Sequence, residues 1–291
     1  MTRKVSTQGI ALAIAALLPV WLAGGTAHAT DVYPGDFTIL PKGTNLALLY
    51  GVQISADQFN IKGARIPDSR LQATFTLLRY VRYEEIADVP VLVEAILPIG
   101  GYHDVRIAGT PQPTENGLGD LILATAAFPV HTKNTTLGLA TYLYLPTGAY
   151  DPAKISFGTH SYNITPQVGL IQKLGARLLL DVTADVAFTT SHVDGGVRFS
   201  VEPSYQLQIY LRRALSPTTS LALGYSGHFG GRQRLDGVDT GLKSNSHQVR
   251  AFAGKFVTKT LQVQLMGGVD AVSDGGFQQK FNGQVRLFKV F

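Results

Sequence analysis

Apolar and polar residues alternate along most of this chain, in segments about ten residues long. In RLLLDVTADVAFTT, residues 177–190, every second position from Leu178 to Phe188 is apolar, and polar residues occupy several positions between them. Successive side chains of a β-strand point to opposite faces, so this segment predicts a strand with one apolar and one polar face. The segments VEPSYQLQIYLRR, TLGLATYLYLP and LQVQLMGGVDAV repeat the pattern.

Twelve strands of this kind are predicted along the chain. They lie at residues 45–55, 71–83, 89–100, 118–130, 136–146, 162–173, 177–189, 200–212, 219–229, 247–257, 260–272 and 281–291. The segments between them alternate between long and short, and bacterial outer-membrane barrels likewise combine an even strand number with short periplasmic turns and longer external loops. The predicted fold class is therefore all-β, a transmembrane antiparallel β-barrel of about 12 strands with periplasmic termini.

The N-terminus has the features of a secretory signal peptide. Arg3 and Lys4 precede a short apolar run, and Ala27-His28-Ala29 supplies small residues at the positions that signal peptidase recognises. We expect cleavage after Ala29, which divides the chain into a signal peptide (1–29), a periplasmic N-terminal segment (30–44) and a transmembrane barrel (45–291). The expected location is the outer membrane of a Gram-negative bacterium.

The amino-acid composition excludes some kinds of chemistry and some partners. The chain contains no cysteine, which excludes disulfides and thiol chemistry. Charged residues make up only 15%, and the formal charge of +5 falls to +3 once Arg3 and Lys4 leave with the signal peptide. This weak, scattered charge gives no indication of a nucleic-acid partner. We also expect no cofactor and no metal, because the histidines are scattered.

A glycine-rich stretch, ENGLGDLILATAAFPV at residues 115–130, raises the alternative of a phosphate-binding loop. It has neither the GxGxxG pattern nor a following GK[ST], and the residues after it read as a strand. We interpret Asn116-Gly117 as a turn and Gly119-Asp120 as the bend that begins the fourth strand.

Polar positions of the predicted strands are expected to line the lumen, because charges on the lipid face of a barrel are costly. The lumen-lining candidates are Asp181, Thr183, Asp185, Gln206, Gln208, Gln262, Gln264 and Asp270. A hydrogen-bonded network that fills a narrow barrel is the simpler interpretation of these residues, ahead of a substrate site. The fourth strand is apolar on both faces, and Leu121 and Leu123 are expected to form an apolar patch in the lumen. Such a patch suits a hydrophobic cargo or an inward-folded segment 30–44.

The last residue, Phe291, is aromatic, as is common on the closing strand of outer-membrane barrels. We expect it to act as an assembly signal that the barrel assembly machinery engages. The other expected partners are outer-membrane lipid and a small hydrophobic solute.

Several segments resemble a known outer-membrane family, labelled "meta-pathway of phenol degradation" and often described as a transporter. They are LPKGTNLALLYGVQISAD (40–57), ILPIG (96–100), GLGDLILATAAFPV (117–130), YLYLPTGAYD (142–151), ITPQVGLIQKLG (164–175) and PSYQLQIYLRRALSPTTSLALGYSGHFGG (203–231). The resemblance covers nearly all of the chain after the signal peptide. It implies a transmembrane β-barrel and uptake of aromatic or other apolar compounds, and it carries no catalytic residue.

Our functional prediction is therefore an outer-membrane channel or transporter for small hydrophobic compounds, aromatic ones first among them, and not an enzyme. A small general porin and a purely structural barrel are the alternatives. A third alternative is an outer-membrane lipid hydrolase, which needs a Ser–His pair. The sequence offers only neighbours such as His160-Ser161, Ser191-His192 and Ser246-His247, and adjacent strand residues point to opposite faces.

Overall fold

The computed structural model describes residues 31–291, so the predicted signal peptide and its cleavage site lie outside the described residues. The described chain contains twelve long β-strands: β1 (Asn45–Ile61), β2 (Arg70–Ile86), β3 (Val89–Ile107), β4 (Leu121–His131), β5 (Thr135–Leu145), β6 (Asn163–Lys173), β7 (Leu178–Thr189), β8 (Ser204–Ala214), β9 (Thr219–Gly230), β10 (Ser246–Phe256), β11 (Leu261–Ser273) and β12 (Gly276–Val290). Across residues 31–291, no helix is long and apolar enough to cross a membrane.

The twelve strands form a closed antiparallel barrel. Each strand pairs with its neighbours in the sequence, and β12 pairs with β1 from Leu46↔Val290 to Asn60↔Gly276. At the end of this seam the backbones of Asn45 and Phe291 exchange hydrogen bonds of 2.9 and 3.0 Å. Closure leaves no unpaired sheet edge, which a strand in hydrocarbon requires. The predicted all-β, twelve-stranded barrel is confirmed.

The two ends of the barrel differ in their connections. Short turns follow β2, β4, β6, β8 and β10 on the end that also holds the two chain ends of the barrel. The tightest of them, Ala87-Asp88, has φ angles of 47° and 62°, as the two-residue hairpin turns between twisted strands require. Long loops occupy the other end, with one exception. β11 and β12 are joined through Asp274-Gly275 alone, where the sequence predicts a longer gap.

Near the long-loop end, β1, β2 and β3 continue beyond the membrane-crossing length, and nine short strands lie in or beside the loops. β1, β2 and β3 have 17, 17 and 19 residues, more than a tilted strand needs to cross a bilayer. The nine short strands are Ala64–Ile66, Thr110–Pro111, Thr114–Glu115, Gly117–Leu118, Ile155–Ser156, His192–Asp194, Val197–Val201, Gln233–Leu235 and Val238–Asp239.

The strand period separates an outer face from an inner face. On β8, Gln208 and Tyr210 are 1% exposed, whereas the intervening Ile209 and Leu211 are 39% and 47% exposed. Apolar residues on the outer face match hydrocarbon, where each buried aliphatic side chain is favourable and each charge is costly. The inner face therefore carries the polar chemistry of the molecule.

Candidate functional site in the barrel lumen

The lumen has an apolar side and a polar side. Strands β1 to β5 turn mainly aliphatic and aromatic side chains inward, including Leu48, Val52, Ile96, Ile122 and Phe128. Strands β6 to β12 turn amides, acids, arginines and a threonine inward; the buried ones include Gln167, Asp181, Thr183, Gln206, Gln208, Gln248, Arg250, Gln264, Asp270, Asn282, Gln284 and Arg286. A solute inside this barrel therefore meets different chemistry on opposite walls.

The segment 31–44 enters the barrel at the short-turn end, and its residues 31–37 lie inside, between these two walls. Val32, Tyr33 and Phe37 are buried to 6%, 2% and 6% exposure, which only the lumen of the barrel provides. A tight turn reverses the segment at Tyr33-Pro34-Gly35-Asp36, where the Asp36 amide donates to the Tyr33 carbonyl at 3.0 Å. Proline at the second position and glycine with φ of 96° at the third are the residues that a type II turn requires.

A recess in the wall receives the ring of Phe37. Gly138 of β5 and Gly169 of β6 are paired directly across the two strands. A Cβ at Gly138 would lie 2.5 Å from the Phe37 ring, and one at Gly169 would lie 2.2 Å from it. Phe128 meets the same ring edge-to-face, with centroids 6.2 Å apart. Two glycines thus make room for one aromatic side chain of the segment.

Two of the four inward arginines are neutralised by carboxylates of the wall itself. Arg79 of β2 binds Glu94 of β3 at 2.6 Å. Arg212 of β8 binds Asp181 of β7 through two hydrogen bonds of 3.0 Å, and Asp181 also accepts the Gly35 amide at 2.9 Å. These pairs join neighbouring strands of the wall, so each arginine has a carboxylate partner outside the segment.

The other two arginines depend on the segment. Arg250 binds Asp31 at 2.9 Å and Arg286 binds Asp36 at 2.7 Å; among the described residues, neither has another carboxylate within ion-pair distance. The two arginine side chains are only 3% and 2% exposed. Removing one partner of such a buried pair typically costs about 3–5 kcal/mol, because the other charge is left without compensation. The segment is therefore held firmly.

Neutral contacts complete the attachment of the segment. Tyr33 donates its hydroxyl to Gln284 Oε1 at 2.7 Å, and the Arg286 guanidinium lies 4.1 Å from the centre of the Tyr33 ring. The Val32 amide donates to Gln208 Oε1 at 3.2 Å, and Gln206 donates to Asp31 at 2.8 Å.

Beyond the segment, toward the long loops, the lumen holds a cavity of about 420 Å³. Its apolar wall includes Val52, Ile54, Phe75, Leu77, Ile96 and Ile122. Its polar wall includes Asp31, Gln248, Arg250, Asp270, Gln279 and Asn282. Phe157 reaches this cavity from the loop between β5 and β6, and its ring lies 5.7 Å from that of Phe75. The cavity has the volume of a site for one small molecule.

A sequence model of the family described as "Putative MetA-pathway of phenol degradation" matches residues 55–286. The chain belongs to this family. The match begins within β1 and ends within β12, so it spans nearly the whole barrel of this phenol-degradation family member. A search of curated proteins gives no match to the chain.

Solved structures show the same architecture. The COG4313 outer membrane channel from Pseudomonas putida F1 is 25% identical, with a TM-score of 0.84 over 90% of this chain and 100% of that chain. The transport unit of the autotransporter AIDA-I from Escherichia coli is 8% identical, with a TM-score of 0.51, and the match covers 100% of both chains. The second likeness shows the fold alone, that of an outer-membrane β-barrel.

The structure places the polar residues predicted from the sequence on the inner face of the barrel. Asp181 and Gln208 hold the segment, and Thr183 donates to Gln208 at 3.0 Å. Asp185 accepts from Gln167 at 3.1 Å, and Asp270 accepts from Gln248 at 2.9 Å. Gln206 bonds Asp31, Gln264 bonds Arg286, and Gln262 shares the strand face of Gln264. All of them except Asp185 and Gln262 are linked through the arginines and the segment into one hydrogen-bonded network. The four inward arginines, absent from the prediction, are its cationic part.

The predicted apolar lumen patch of Leu121 and Leu123 is wrong. Register pairs Ala124 of β4 with the inward Glu94 of β3, which turns Ile122 and Phe128 inward and Leu121 and Leu123 outward. Leu123 is 41% exposed on the outer face. Both faces of this strand are apolar, so the alternation of apolar and polar residues could not show which face points into the lumen. The inward apolar residues of this strand have two different contacts. Ile122 lines the cavity, and Phe128 packs against the segment.

A second correction concerns the segment at 30–44, which was expected in the periplasm. Residues 31–37 lie in the lumen instead, where Arg250 and Arg286 bind the carboxylates of Asp31 and Asp36. Residues 41–43 are exposed at the short-turn end of the barrel. The turn sequence Tyr33-Pro34-Gly35-Asp36 indicates that the segment is folded, but the arginines that bind it lie more than two hundred residues away in the chain.

The glycine-rich stretch at 115–130 forms a loop followed by a strand. Gly117 and Leu118 pair with β3, and a Cβ at Gly119 would lie 2.8 Å from Pro98. Asp120 fastens the neighbouring loop, since its carboxylate accepts the Gly148 and Thr159 amides at 2.9 Å. Both carboxylate oxygens of Asp120 accept hydrogen bonds from loop amides, which agrees with the interpretation of a bend rather than a phosphate site.

The long loops also bring a serine and a histidine together. Ser161 Oγ lies 2.8 Å from His192 Nδ1, and His192 Nε2 lies 3.2 Å from Asp194, which also accepts the hydroxyl of Tyr150. Ser161 is only 2% exposed, so its hydroxyl is not open to a substrate. Burial, aided by the Asp194 carboxylate, raises the pKa of Tyr150, which keeps this phenol a hydrogen-bond donor. This cluster joins the loop after β5 to the loop after β7. Among residues 31–291, no group of three or more His, Asp or Glu side chains is arranged to hold a metal ion.

Proposed function

We propose that the chain is an outer-membrane channel for small hydrophobic compounds, with single-ring aromatic compounds as its main cargo. The observation that carries this proposal is the cavity of about 420 Å³ whose one wall is formed by aliphatic and aromatic side chains of β1 to β4. A solute that covers this wall removes apolar surface from water at about 25 cal/mol per Å². The cavity lies on the side of the long loops, which face the cell exterior in barrels of this kind.

The comparisons support the same class of cargo. The family description refers to phenol degradation, and the relative from Pseudomonas putida F1 is described as an outer membrane channel. A hydrophobic solute crosses the charged saccharide layer of the outer leaflet slowly, so an apolar path through a barrel is useful to a cell that consumes it.

The segment 31–44 argues against a small general porin. It fills the lumen between the cavity and the short-turn end, and its two carboxylates are held by buried arginines. In this conformation, the part of the barrel formed by residues 31–291 therefore contains no wide, permanently water-filled pore. Passage of a solute requires the segment to shift, which makes permeation selective and slow compared with that of an open porin.

Export and assembly belong to the same proposal. Signal-peptide cleavage after Ala29 would release a chain whose described part begins at Asp31, inside the lumen. The outward aliphatic side chains contact outer-membrane lipid, and Phe291, 62% exposed at the closing seam, engages the barrel assembly machinery. We propose no enzymatic activity, because the loop serine that meets a histidine is buried.

Binding of toluene to the purified chain in detergent, measured by calorimetry with blank micelles subtracted, tests the proposed site. Ile122→Asn places an amide in the apolar wall and should weaken toluene binding about tenfold, the effect of roughly 1.4 kcal/mol. Val193→Asn, at a loop position that is 55% exposed, should leave binding unchanged. Equal affinity in all three proteins would contradict the assignment of the cavity.

A further inference from the structure

Asp36 occupies a site built from two arginines of the wall. Its Oδ1 accepts from Arg286 at 2.7 Å, and its Oδ2 accepts from Arg79 at 3.3 Å. The hydroxyl of Tyr50 lies within hydrogen-bond distance of both guanidinium groups, at 3.2 Å from Arg79 and 3.4 Å from Arg286. Two guanidinium groups that converge on one carboxylate form a specific carboxylate site, because each presents its donors in a fixed planar fork.

The occupant of this site is not part of the wall. Asp36 belongs to the segment, whereas both arginines and Tyr50 belong to strands. Without Asp36 the remaining group of Arg79, Glu94 and Arg286 has two positive charges and one negative charge. The arginines are buried, at 9% and 2% side-chain exposure, so this excess charge has little water to stabilise it. An anion that replaces Asp36 removes this penalty.

The site can be reached from the cavity. Arg79, Tyr50 and Tyr33 all line the cavity wall, next to the aliphatic side chains Val52 and Leu77. A molecule with an apolar ring and a carboxylate can therefore keep its ring on the apolar wall while its carboxylate approaches Arg79. Arg286 lies outside the cavity lining, next to Asp36 and Tyr50, and comes within reach of the carboxylate as Asp36 leaves. The other inward acids lie outside this group: Asp181 and Asp31 are bound by Arg212 and Arg250, and Asp185 and Asp270 by glutamine amides.

From this geometry we infer that Arg79 and Arg286 form a binding site for small aromatic carboxylates in the lumen, and that Asp36 occupies it at rest. The inference rests on the proposed channel function and adds a second class of solute to it. A permeating aromatic carboxylate takes the place of Asp36, and the segment is released from its central attachment as the solute binds. The site thus couples entry of an anionic solute to movement of the segment.

Calorimetry of the full chain in detergent micelles with sodium benzoate tests the inference, with toluene as the neutral reference. Asp36→Asn keeps the shape of the side chain but removes the competing charge. It should tighten benzoate binding about tenfold or more, the size expected of one charge-assisted hydrogen-bonded contact. Its toluene affinity should stay within about twofold of that of the unchanged protein.

Two further variants make the result specific. Asp36→Asn combined with Arg286→Gln should lose the gain in benzoate affinity while retaining toluene binding, and the shift in gel mobility on boiling verifies that each barrel is folded. Asp57→Asn alters an outer-face acid paired with Lys280, with both side chains about half exposed, and should change neither affinity. Equal benzoate affinity in the unchanged protein, Asp36→Asn and the double variant overturns the inference. Absence of toluene binding counts against the channel proposal, and the benzoate comparison still decides the carboxylate site.

Discussion

Gly138 and Gly169 stand opposite each other across β5 and β6, and the ring of Phe37 occupies the space in front of them. This relationship explains why glycine occurs at these two wall positions, where β-branched residues would otherwise favour the strand. It also links the wall to the segment without any charge, so it can be tested separately from the ion pairs.

Gly169→Ala should loosen the segment. The new methyl group would lie 2.2 Å from the Phe37 ring, so the ring must leave the recess or the strand must shift. We expect a loss of about 1–3 kcal/mol in the free energy of unfolding, as in other overpacked sites. Urea unfolding in lipid vesicles measures it. Gly51→Ala, on β1 with no atom within 4 Å of the new Cβ, is the matched control and should cost little. Equal effects of the two changes would contradict the recess.

Asp31→Ala should destabilise the protein more than a surface ion pair does. Arg250 would lose its carboxylate partner, while its guanidinium remains buried beside Tyr210 and Gln248. Because Asp31 is itself 26% exposed, we expect about 1.5–3 kcal/mol, the range for a hydrogen bond to a charged group. Asp57→Ala, which breaks an exposed pair with Lys280, should cost about 0–1 kcal/mol. Unfolding curves in which the two variants coincide would show that the segment is not held by this pair.

Leu223→Arg tests the lipid-facing wall. Leu223 lies near the middle of β9 and is 61% exposed on the outer face, so arginine there should cost about 2–4 kcal/mol. Leu215, 46% exposed in the turn after β8, provides the control, since Leu215→Arg near the interface should cost about 0–1 kcal/mol. Folding yield into vesicles and urea midpoints provide the comparison. A larger penalty at Leu215 would place the membrane at a different height on the barrel.

Acid should loosen the contact between the two long loops that Ser161 and His192 join. Burial lowers the pKa of His192, against the opposing effect of Asp194, so the folded loops favour the neutral imidazole. A lowered pKa contributes stability that is fully present above the unfolded value, about 6.5, and is lost as the pH falls below it toward the folded value. The protection of the amides in the loops after β5 and β7, corrected for the intrinsic exchange rate at each pH, should therefore fall between pH 7.5 and pH 5. His192→Gln should remove this pH dependence. Greater protection of these amides at pH 5 would mean that Asp194 dominates and raises the pKa of His192 instead.

The sequence was sufficient for the barrel, because each wall strand must show lipid an apolar face and the period of two makes this visible. The alternation did not show the inward face of β4, where Leu121 and Ile122 are equally apolar and the inward direction depends on the pairing of Ala124 with Glu94. The ends of β1 to β3 and the tight turn at Asp274-Gly275 were also missed. Above the membrane the outer face no longer needs to be apolar, so periodicity ends before the strands do.

The lumen site was less accessible to sequence reasoning. The predicted polar residues are inward, but the contacts that define the site join Asp31 to Arg250 and Asp36 to Arg286, across most of the chain. No local pattern encodes such pairs. The turn at Tyr33-Pro34-Gly35-Asp36 indicates only that the segment is folded, and its place in the lumen follows from the closed barrel around it.

The initial rate of uptake of labelled toluene by intact cells tests the central claim most directly. It should be measured at low concentration in cells that lack this protein, in the same cells with the protein restored, and in cells restored with Ile122→Asn. We predict slow uptake without the protein, full recovery with it and partial recovery with the variant. Unchanged toluene uptake in all three, together with a large and steady ion conductance of the reconstituted protein, would contradict the account and indicate a small general porin.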